Sequence, residues 1–457
     1  MLATCLTISA TPLTVDTLEA FFESAQKDGQ TIRLEPGTYS LDQYLTPERS
    51  ALVGKDYPGD RRSRFPMPVV TFAGNGNTFL LDGVTFEVDT RIYERIPNYG
   101  YHRFFFITGN ENTFKGLTIR YVGANKGTNG NCLTVWGDGN TLEEVTLYVH
   151  GSSPYGYGDL LGKGGPNLVG LRKQSGIMIG GDNTTLKRCK VISRAFGHCF
   201  YIQGSHNTLL EDCYAEGIHR TTNEMLAETS GLAFNHDFKS VYENRDGRFV
   251  MTPGYSKALT EDGFRTYGGG GAKGQRTGKT TLINCTAINT RAGFEIVGPE
   301  SGPATELIGC TALGAERGFL LINGNIKTRH CRGDITHGPL LYLWRGENAD
   351  VEIELTGPSP KNTVHALATI AGKNHKVKLT RWIGDGPISK LPILLGYAMP
   401  AHAEMSSPIL AEATSGIELS NTTGMPLIVS PEASDSKVHT NGSVQINDGE
   451  NLVINSL

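Results

Sequence analysis

The chain has 457 residues, of which 38% are hydrophobic, 8% aromatic and 19% charged; that is enough apolar material for a core and too little charge for a disordered or coiled-coil chain. Its formal net charge of -4 provides no global positive field for nucleic acid or an anionic membrane surface. No run approaches the ~18 apolar residues of a spanning helix. Glycine, at 57 residues, exceeds its usual share of ~7% without any collagen triplet, so turns must be frequent.

The opening segment Met1–Ala10 is too short for a complete signal peptide and lacks its charged head, although it is compatible with the remnant of one. Asp16-Thr17-Leu18-Glu19 is a capping-box-like helix start. Val15, Leu18, Phe22 and Ala25 recur at helical spacing, and Gly29 can close the helix. Residues 1–41 therefore read as an N-terminal segment with an amphipathic helix that covers the open end of a repeat array. Strand Thr31–Leu34 and the turn Glu35–Tyr39 follow.

From there the sequence repeats. Gly74-Asn-Gly-Asn77-Thr78, Gly109-Asn-Glu-Asn112-Thr113, Gly137-Asp-Gly-Asn140-Thr141, Gly181-Asp-Asn183-Thr184 and Gly204-Ser-His-Asn207-Thr208 each separate two short β-type runs. Weaker copies lie at Gly278, Gly302 and Gly372. The shortest spacing, Asn183 to Asn207, is 24 residues, which is one coil of a β-solenoid. The Asn-Thr pairs suggest an asparagine ladder at the turn. Phe200, Phe264, Phe294 and Phe319 share one slot of successive repeats, and Cys189, Cys213, Cys285, Cys310 and Cys331 share another. In-register coils place such residues ~4.8 Å apart in inward columns, so a buried thiol ladder is preferred to a disulfide framework. Residues 42–386 form the solenoid, and 387–457 are expected to be irregular coils of the same domain.

The helix, the Thr31–Tyr39 segment and the Gly-x-x-Asn-Thr coils resemble the right-handed parallel β-helix proteins of the pectin-lyase-like superfamily. The resemblance covers most of residues 14 to 385 and implies an all-β, right-handed parallel β-helix with an N-terminal helical cap. It also implies a carbohydrate-active function without choosing among lyases, hydrolases, esterases, epimerases and tailspikes. Calcium is a possible ligand by the same resemblance, but no cofactor is required by the sequence. No dense acidic cluster and no His-x-x-x-His or Cys-x-x-Cys pair supports a metal site. The Tyr267–Gly271 glycine run lacks the Gly-Lys-Ser/Thr ending and following helix of a phosphate loop.

Residues beyond ~24 per coil must leave the stack as loops. They fall at 87–102, 122–131, 149–174 and 216–262, always after the second strand of a repeat, so the four loops wall one edge of a groove suited to a polymer. Tyr155, Tyr157 and Arg172 lie in the third loop, with His150 and Arg194 at strand ends beside it. His219, Arg220, His236, Asp237, Lys257, Glu261 and Asp262 lie in the fourth. With the Phe column inward, Tyr201, Arg265 and Glu295 must point outward on neighbouring coils, and His198 sits at the corner where the loops begin. His150, Tyr155, Tyr157, Arg172, Arg194, Arg220, Asp237 and Glu295 are the candidate substrate-binding residues, since tyrosines stack on sugars and arginines pair with carboxylates.

β-Elimination on an acidic polysaccharide needs a base for the proton α to the carboxylate and groups to hold the developing enediolate charge. His198, His219 and His236 are the base candidates, Tyr201 the acid, and Arg265, Arg220 or Lys257 the charge neutralisers. The alternatives are a glycoside hydrolase using carboxylate pairs among Asp237, Glu261, Asp262 and Glu295, or a non-enzymatic, tailspike-like carbohydrate-binding module. The expected partner is a polysaccharide, without nucleic acid or a membrane span, and the expected location is secreted or periplasmic.

Overall fold

The computed structural model describes residues 11–53, 67–97, 101–124, 129–162, 167–270, 274–357, 364–382, 391–398 and 406–457. The Met1–Ala10 segment, residues 98–100, 125–128 and 163–166 of the expected loops, and Gly271 lie outside them. The chain is a parallel β-helix. One parallel sheet has 13 strands and a second has 24 among the described residues. Each coil gives one strand to the first sheet and, after the glycine turn, two short strands to the second. The two short strands are hinged by one residue in the left-handed region, for example Glu144, Arg188, Asp212 and Asn284. Each hinge N–H donates to the carbonyl of the next coil at 2.8–2.9 Å, and this bond offsets the unfavourable φ at a non-glycine residue.

Register is strict. Leu133 faces Ile177, Ile177 faces Phe200, and Phe200, Phe264, Phe294 and Phe319 follow one another on adjacent strands. Their rings stack at 5.0 Å with interplanar angles of 3°, 7° and 7°. Cys189, Cys213, Cys285, Cys310 and Cys331 are all buried free thiols. The Sγ atoms of the last four lie 3.4–3.6 Å from the carbonyls of Leu186, Leu210, Leu282 and Leu307 on the preceding coil. Among the described residues the buried asparagine ladder runs through three coils, and an exposed contact from Asn207 Nδ2 to Asn183 Oδ1 at 3.2 Å follows it. The Asn77 amide N–H donates to Asn112 Oδ1 at 2.8 Å and that of Asn112 to Asn140 Oδ1 at 2.9 Å. Beyond Asn140 the buried slot passes to Thr184, whose hydroxyl bonds the Gly181 carbonyl at 2.8 Å, and Asn183 is turned out to solvent.

The N-terminal helix is shorter than its apolar spacing predicts. It spans Leu18–Ser24 with Thr17 as the N-cap, because Val15 belongs to strand Leu13–Val15, which pairs with Ile32–Leu34. Phe21 packs its ring 5.7–6.1 Å from those of Phe72, Phe79 and Phe86. Short helices at Leu41–Tyr44 and Pro47–Leu52 were not evident from periodicity. At the other end, strands Ile393–Leu395, Leu427–Val429 and Val444–Asn447 extend the first sheet, and Glu418–Asn421, Lys437–Thr440 and Val453–Ser456 extend the second. The stack thus continues through the region expected to be irregular. No helix among the described residues is long and apolar enough to cross a membrane.

A stacked aromatic column and free thiols make a joint prediction. Phe294→Ala leaves a cavity between two parallel rings and should cost about 3–5 kcal/mol in chemical denaturation. A thiol reductant should leave the melting temperature unchanged, whereas a drop on reduction would mean that the cysteines are paired.

Candidate functional site

The site stands on the outer face of the first sheet, where the loops return to it. Tyr201, Arg265 and Glu295 face one another on adjacent strands, as the outward alternation requires. The coil corners just before these strands carry His198, then Glu261 and Asp262, then Arg291, then Glu316 and Arg317. Successive coils therefore bring charged corner residues within ion-pair range of each other and of the outward column.

His198 is the pivot. Its Nδ1 lies 3.0 Å from Asp262 Oδ2, and its Nε2 lies 2.8 Å from the Tyr267 hydroxyl and 3.5 Å from Glu261 Oε2. Nε2 hydrogen-bonds the Tyr267 hydroxyl, and Nδ1 faces the Asp262 carboxylate at ion-pair range without the alignment of a hydrogen bond. Burial pushes the His198 pKa down and outweighs the upward pull of Glu261 and Asp262, so the imidazole is neutral. Burial acts to raise the Asp262 carboxyl, but Arg291, His198 and Arg265 hold it well below the usual carboxylate range. Burial pushes the Tyr267 phenol up to about 12 against the opposing charge of Arg265. That guanidinium sits 4.3 Å from the Tyr267 ring centroid and is ion-paired with Glu295 and, at 3.4 Å, with Asp262.

Tyr201 closes the other side, its ring 5.5 Å from His198 and 6.0 Å from Tyr267. Its hydroxyl donates to Asn131 Oδ1 at 2.8 Å, and the Tyr101 hydroxyl donates to the same atom at 2.7 Å. Burial pushes the Tyr201 phenol well above its ordinary value, so it stays protonated.

Beneath this surface lies a layer of buried ion pairs. Arg291 reaches Asp262 at 2.8 Å, Glu261 at 3.3 Å, Glu295 at 3.6 Å and Asp159 at 3.8 Å. Lys257 Nζ lies 2.7 Å from Glu316 and 3.1 Å from Asp159. Lys173 joins Glu261 at 2.8 Å. Asp159 comes from one long loop and Lys257 from the other, so the pairs tie both loops to the corners of the β-helix. The loops also share an apolar cluster of Leu160, Leu161, Met225, Ala233 and Met251.

The structure brings His198, Tyr201, Arg265 and Glu295 together, as the loop placement predicts. Lys257 is near them, but as a buried structural cation: burial acts to lower its pKa, and Asp159 and Glu316 raise it, so it stays charged and cannot reach into the groove. His219 is not in the group. Its Nε2 is 2.7 Å from the Gly314 carbonyl, its Nδ1 is 3.2 Å from Ser256 Oγ, and its ring stacks on His337 at 4.3 Å. Arg220 and Tyr157 hold the two loops together, Arg220 pairing with Glu228 at 2.7 Å and the Tyr157 hydroxyl donating to Glu228 at 3.1 Å. His236 is half-exposed at the end of the short helix Leu232–Asn235, and exposed Asp237 pairs with Lys239 at 3.4 Å. Arg194 pairs with Glu216 at 3.1 Å on the second sheet, where His150 faces it. Tyr155 is half-buried near Arg194, and Arg172 forms a backbone bridge with Ser153.

Sequence reasoning missed Tyr101, Asn131, Tyr267 and Arg291. Tyr267 carried a signal, since it lies two residues beyond outward-facing Arg265. Asn131 did not, because Cys132 and Leu133 both turn into the core and break the alternation that would have placed it. Among the described residues no group of three or more His, Cys, Asp or Glu side chains is arranged to hold a metal ion. The acids Asp159, Glu261, Asp262, Glu295 and Glu316 are instead paired with Lys257, Arg265 and Arg291.

No family model matches the sequence, and no curated protein does. Among solved structures the chain is similar to a PL6 alginate lyase in complex with a trisaccharide, at 13% identity and a TM-score of 0.47, covering 96% of this chain and 86% of that one. It is similar to the A-module of the Azotobacter vinelandii mannuronan C-5 epimerase AlgE6, at 13% identity and a TM-score of 0.43, covering 82% and 90%. A tailspike protein mutant of E. coli bacteriophage HK620 in complex with a pentasaccharide aligns at 10% identity and a TM-score of 0.46, covering 95% and 73%. At such values the chemistry has to be read from this chain's own side chains.

The buried ion pairs yield a stability prediction that is independent of the reaction. Lys257→Met leaves Asp159 and Glu316 buried without their cation and should cost roughly 3–5 kcal/mol, read as a lowered denaturant midpoint. A loss under about 1 kcal/mol would show that the pair is not buried in solution.

Proposed function

We propose that the protein is a polysaccharide lyase that cleaves a uronic-acid-containing polymer by β-elimination in the groove over the first sheet. The observation that carries this reading is the chain Tyr267–His198–Asp262, set beside Tyr201 and under the charge of Arg265. Neutral His198, oriented by Asp262, accepts the Tyr267 phenol proton, and the phenolate oxygen removes the proton α to the substrate carboxylate. The electrons of that C5–H bond form the C4=C5 double bond through an enediolate, and the C4–O bond breaks. Tyr201 gives its proton to the leaving oxygen. His198 has then gained one proton and Tyr201 lost one, and exchange with solvent restores both. Arg265 favours both the phenolate and the enediolate electrostatically.

The hydrolase alternative is less well supported. A glycosidase needs one carboxylate free as base or nucleophile and one carboxyl kept protonated. Here Glu261, Asp262 and Glu295 are buried and committed to Arg291, Arg265, Lys173 and His198, and exposed Asp237 is paired with Lys239. A purely binding, tailspike-like role leaves the neutral histidine relay without a purpose. The helix Leu18–Ser24 is read as the cap of the first coil. A polymeric substrate places the protein outside the cytoplasm, secreted or in the periplasm.

Two measurements test the reading. With a panel of uronic-acid polymers, the wild type should generate the ultraviolet absorbance of an unsaturated uronate. His198→Asn, Tyr201→Phe and Tyr267→Phe should each reduce turnover by ~10² to 10⁴, while His236→Ala, at the half-exposed end of the helix Leu232–Asn235, should remain within about twofold of wild type. New reducing ends without that absorbance would sink the lyase reading in favour of hydrolysis.

The second measurement is the pH profile. Because burial lowers the His198 pKa, the neutral imidazole persists below the ordinary value of 6.5 and is lost only on further acidification. The acid limb of kcat/KM should therefore lie below 6.5. A limb above it would remove His198 from the proton path.

A further inference from the structure

A concave feature lies farther along the axis on the outer face of the first sheet, toward the glycine turn. Tyr267 is followed on the next two strands by Val297 and Ile322, which are paired in register. Trp344 comes next, packed with Ile322, Leu320 and Tyr342. The Trp344 indole lines a cavity of about 340 Å³. The Arg345 guanidinium lies 5.0 Å from its ring centroid, and exposed Lys373 stands on the same rim. Opposite is the antiparallel hairpin of Tyr397–Ala398 with Ile409–Leu410. It presents Ile409 and Leu410 to the cavity, each 52% exposed.

This mixture has a chemical meaning. An indole and two exposed aliphatic side chains offer apolar surface that water covers poorly. Arg345 and Lys373 add two cationic donors, and Glu347 and Glu412, which also line the cavity, balance their charge and offer acceptors for hydroxyl groups. A pyranose has an apolar C–H face, a rim of hydroxyl donors and, when it is a uronate, a carboxylate for the guanidinium. Strands step ~4.8 Å along the axis, so the three coils from Tyr267 to Trp344 span about 14 Å, a few sugar units of an extended chain.

We infer that the Trp344–Arg345 cavity is a remote subsite for a uronate residue of the polymer, a few units from the bond that is broken. The inference rests on the polysaccharide reading of the groove and adds that affinity depends on chain length. Val297 and Ile322, apolar and uncharged, bridge the two ends and let the intervening units pass without strong contacts.

The test is direct binding of oligogalacturonates and oligomannuronates, trisaccharides against octasaccharides, to the full chain by calorimetry, with tryptophan fluorescence as a second readout. The wild type should bind one set of octasaccharides at least about tenfold more tightly than the matching trisaccharides. Trp344→Ala should abolish that ratio. Arg345→Glu, at an exposed position where the fold is not at stake, should do the same by charge reversal. An unchanged ratio in Arg345→Glu and Trp344→Ala, or no binding of either octasaccharide by the wild type, would overturn the subsite. A length preference that depends on Trp344 without any unsaturated product would support the subsite while removing the lyase reading.

Discussion

Everything in this molecule depends on the in-register parallel ladder. Because each coil repeats the path of the one before it, a residue type chosen for one slot meets its equivalent ~4.8 Å away. Phe200, Phe264, Phe294 and Phe319 become a column of parallel rings, and five cysteines become a column of buried thiols. The same rule governs the outside. Four insertions that leave after equivalent strands must stand side by side, and corner residues that would be scattered in another fold become direct neighbours.

The corner neighbours explain how so many charges can be buried. An isolated buried ion is prohibitively costly, and pairing recovers the cost only if nearly every charge has a partner. The succession of His198, Glu261 with Asp262, and Arg291 along the axis supplies such partners, and Glu316 meets Lys257. Asp159 and Lys257 then add one member from each long loop. Charge balance is thereby tied to loop docking, and the loops cannot lift away without exposing unpaired ions in the corner. The site above inherits this rigidity: Asp262 is held ionised by Arg291 and keeps its carboxylate 3.0 Å from His198 Nδ1.

Polarity in the groove is graded. Tyr201, His198 and Tyr267 lie beside the loops and above the buried ions, where a low local dielectric strengthens their mutual electrostatics. Farther along the axis the outer face becomes apolar at Val297, Leu320 and Ile322 before charged side chains return at Arg345 and Lys373.

The sequence by itself determined the solenoid, because 24-residue spacing with glycine turns leaves no other way to bury alternate residues. It also determined the outward column Tyr201, Arg265 and Glu295, which follows from strand alternation once the Phe column is inward, and the edge from which the loops leave. Only the tertiary structure decided which loop residues face the groove. Lys257 and His219 are close in the chain to residues of the groove, yet one is sealed between Asp159 and Glu316 and the other is turned to Gly314 and His337. Asn131 reached Tyr201 because two core residues in succession, Cys132 and Leu133, overrode alternation. The physical reason is one of range. Periodicity records how each residue relates to its own strand, whereas a buried charge is placed by partners dozens of residues away, and only the folded coils fix those distances.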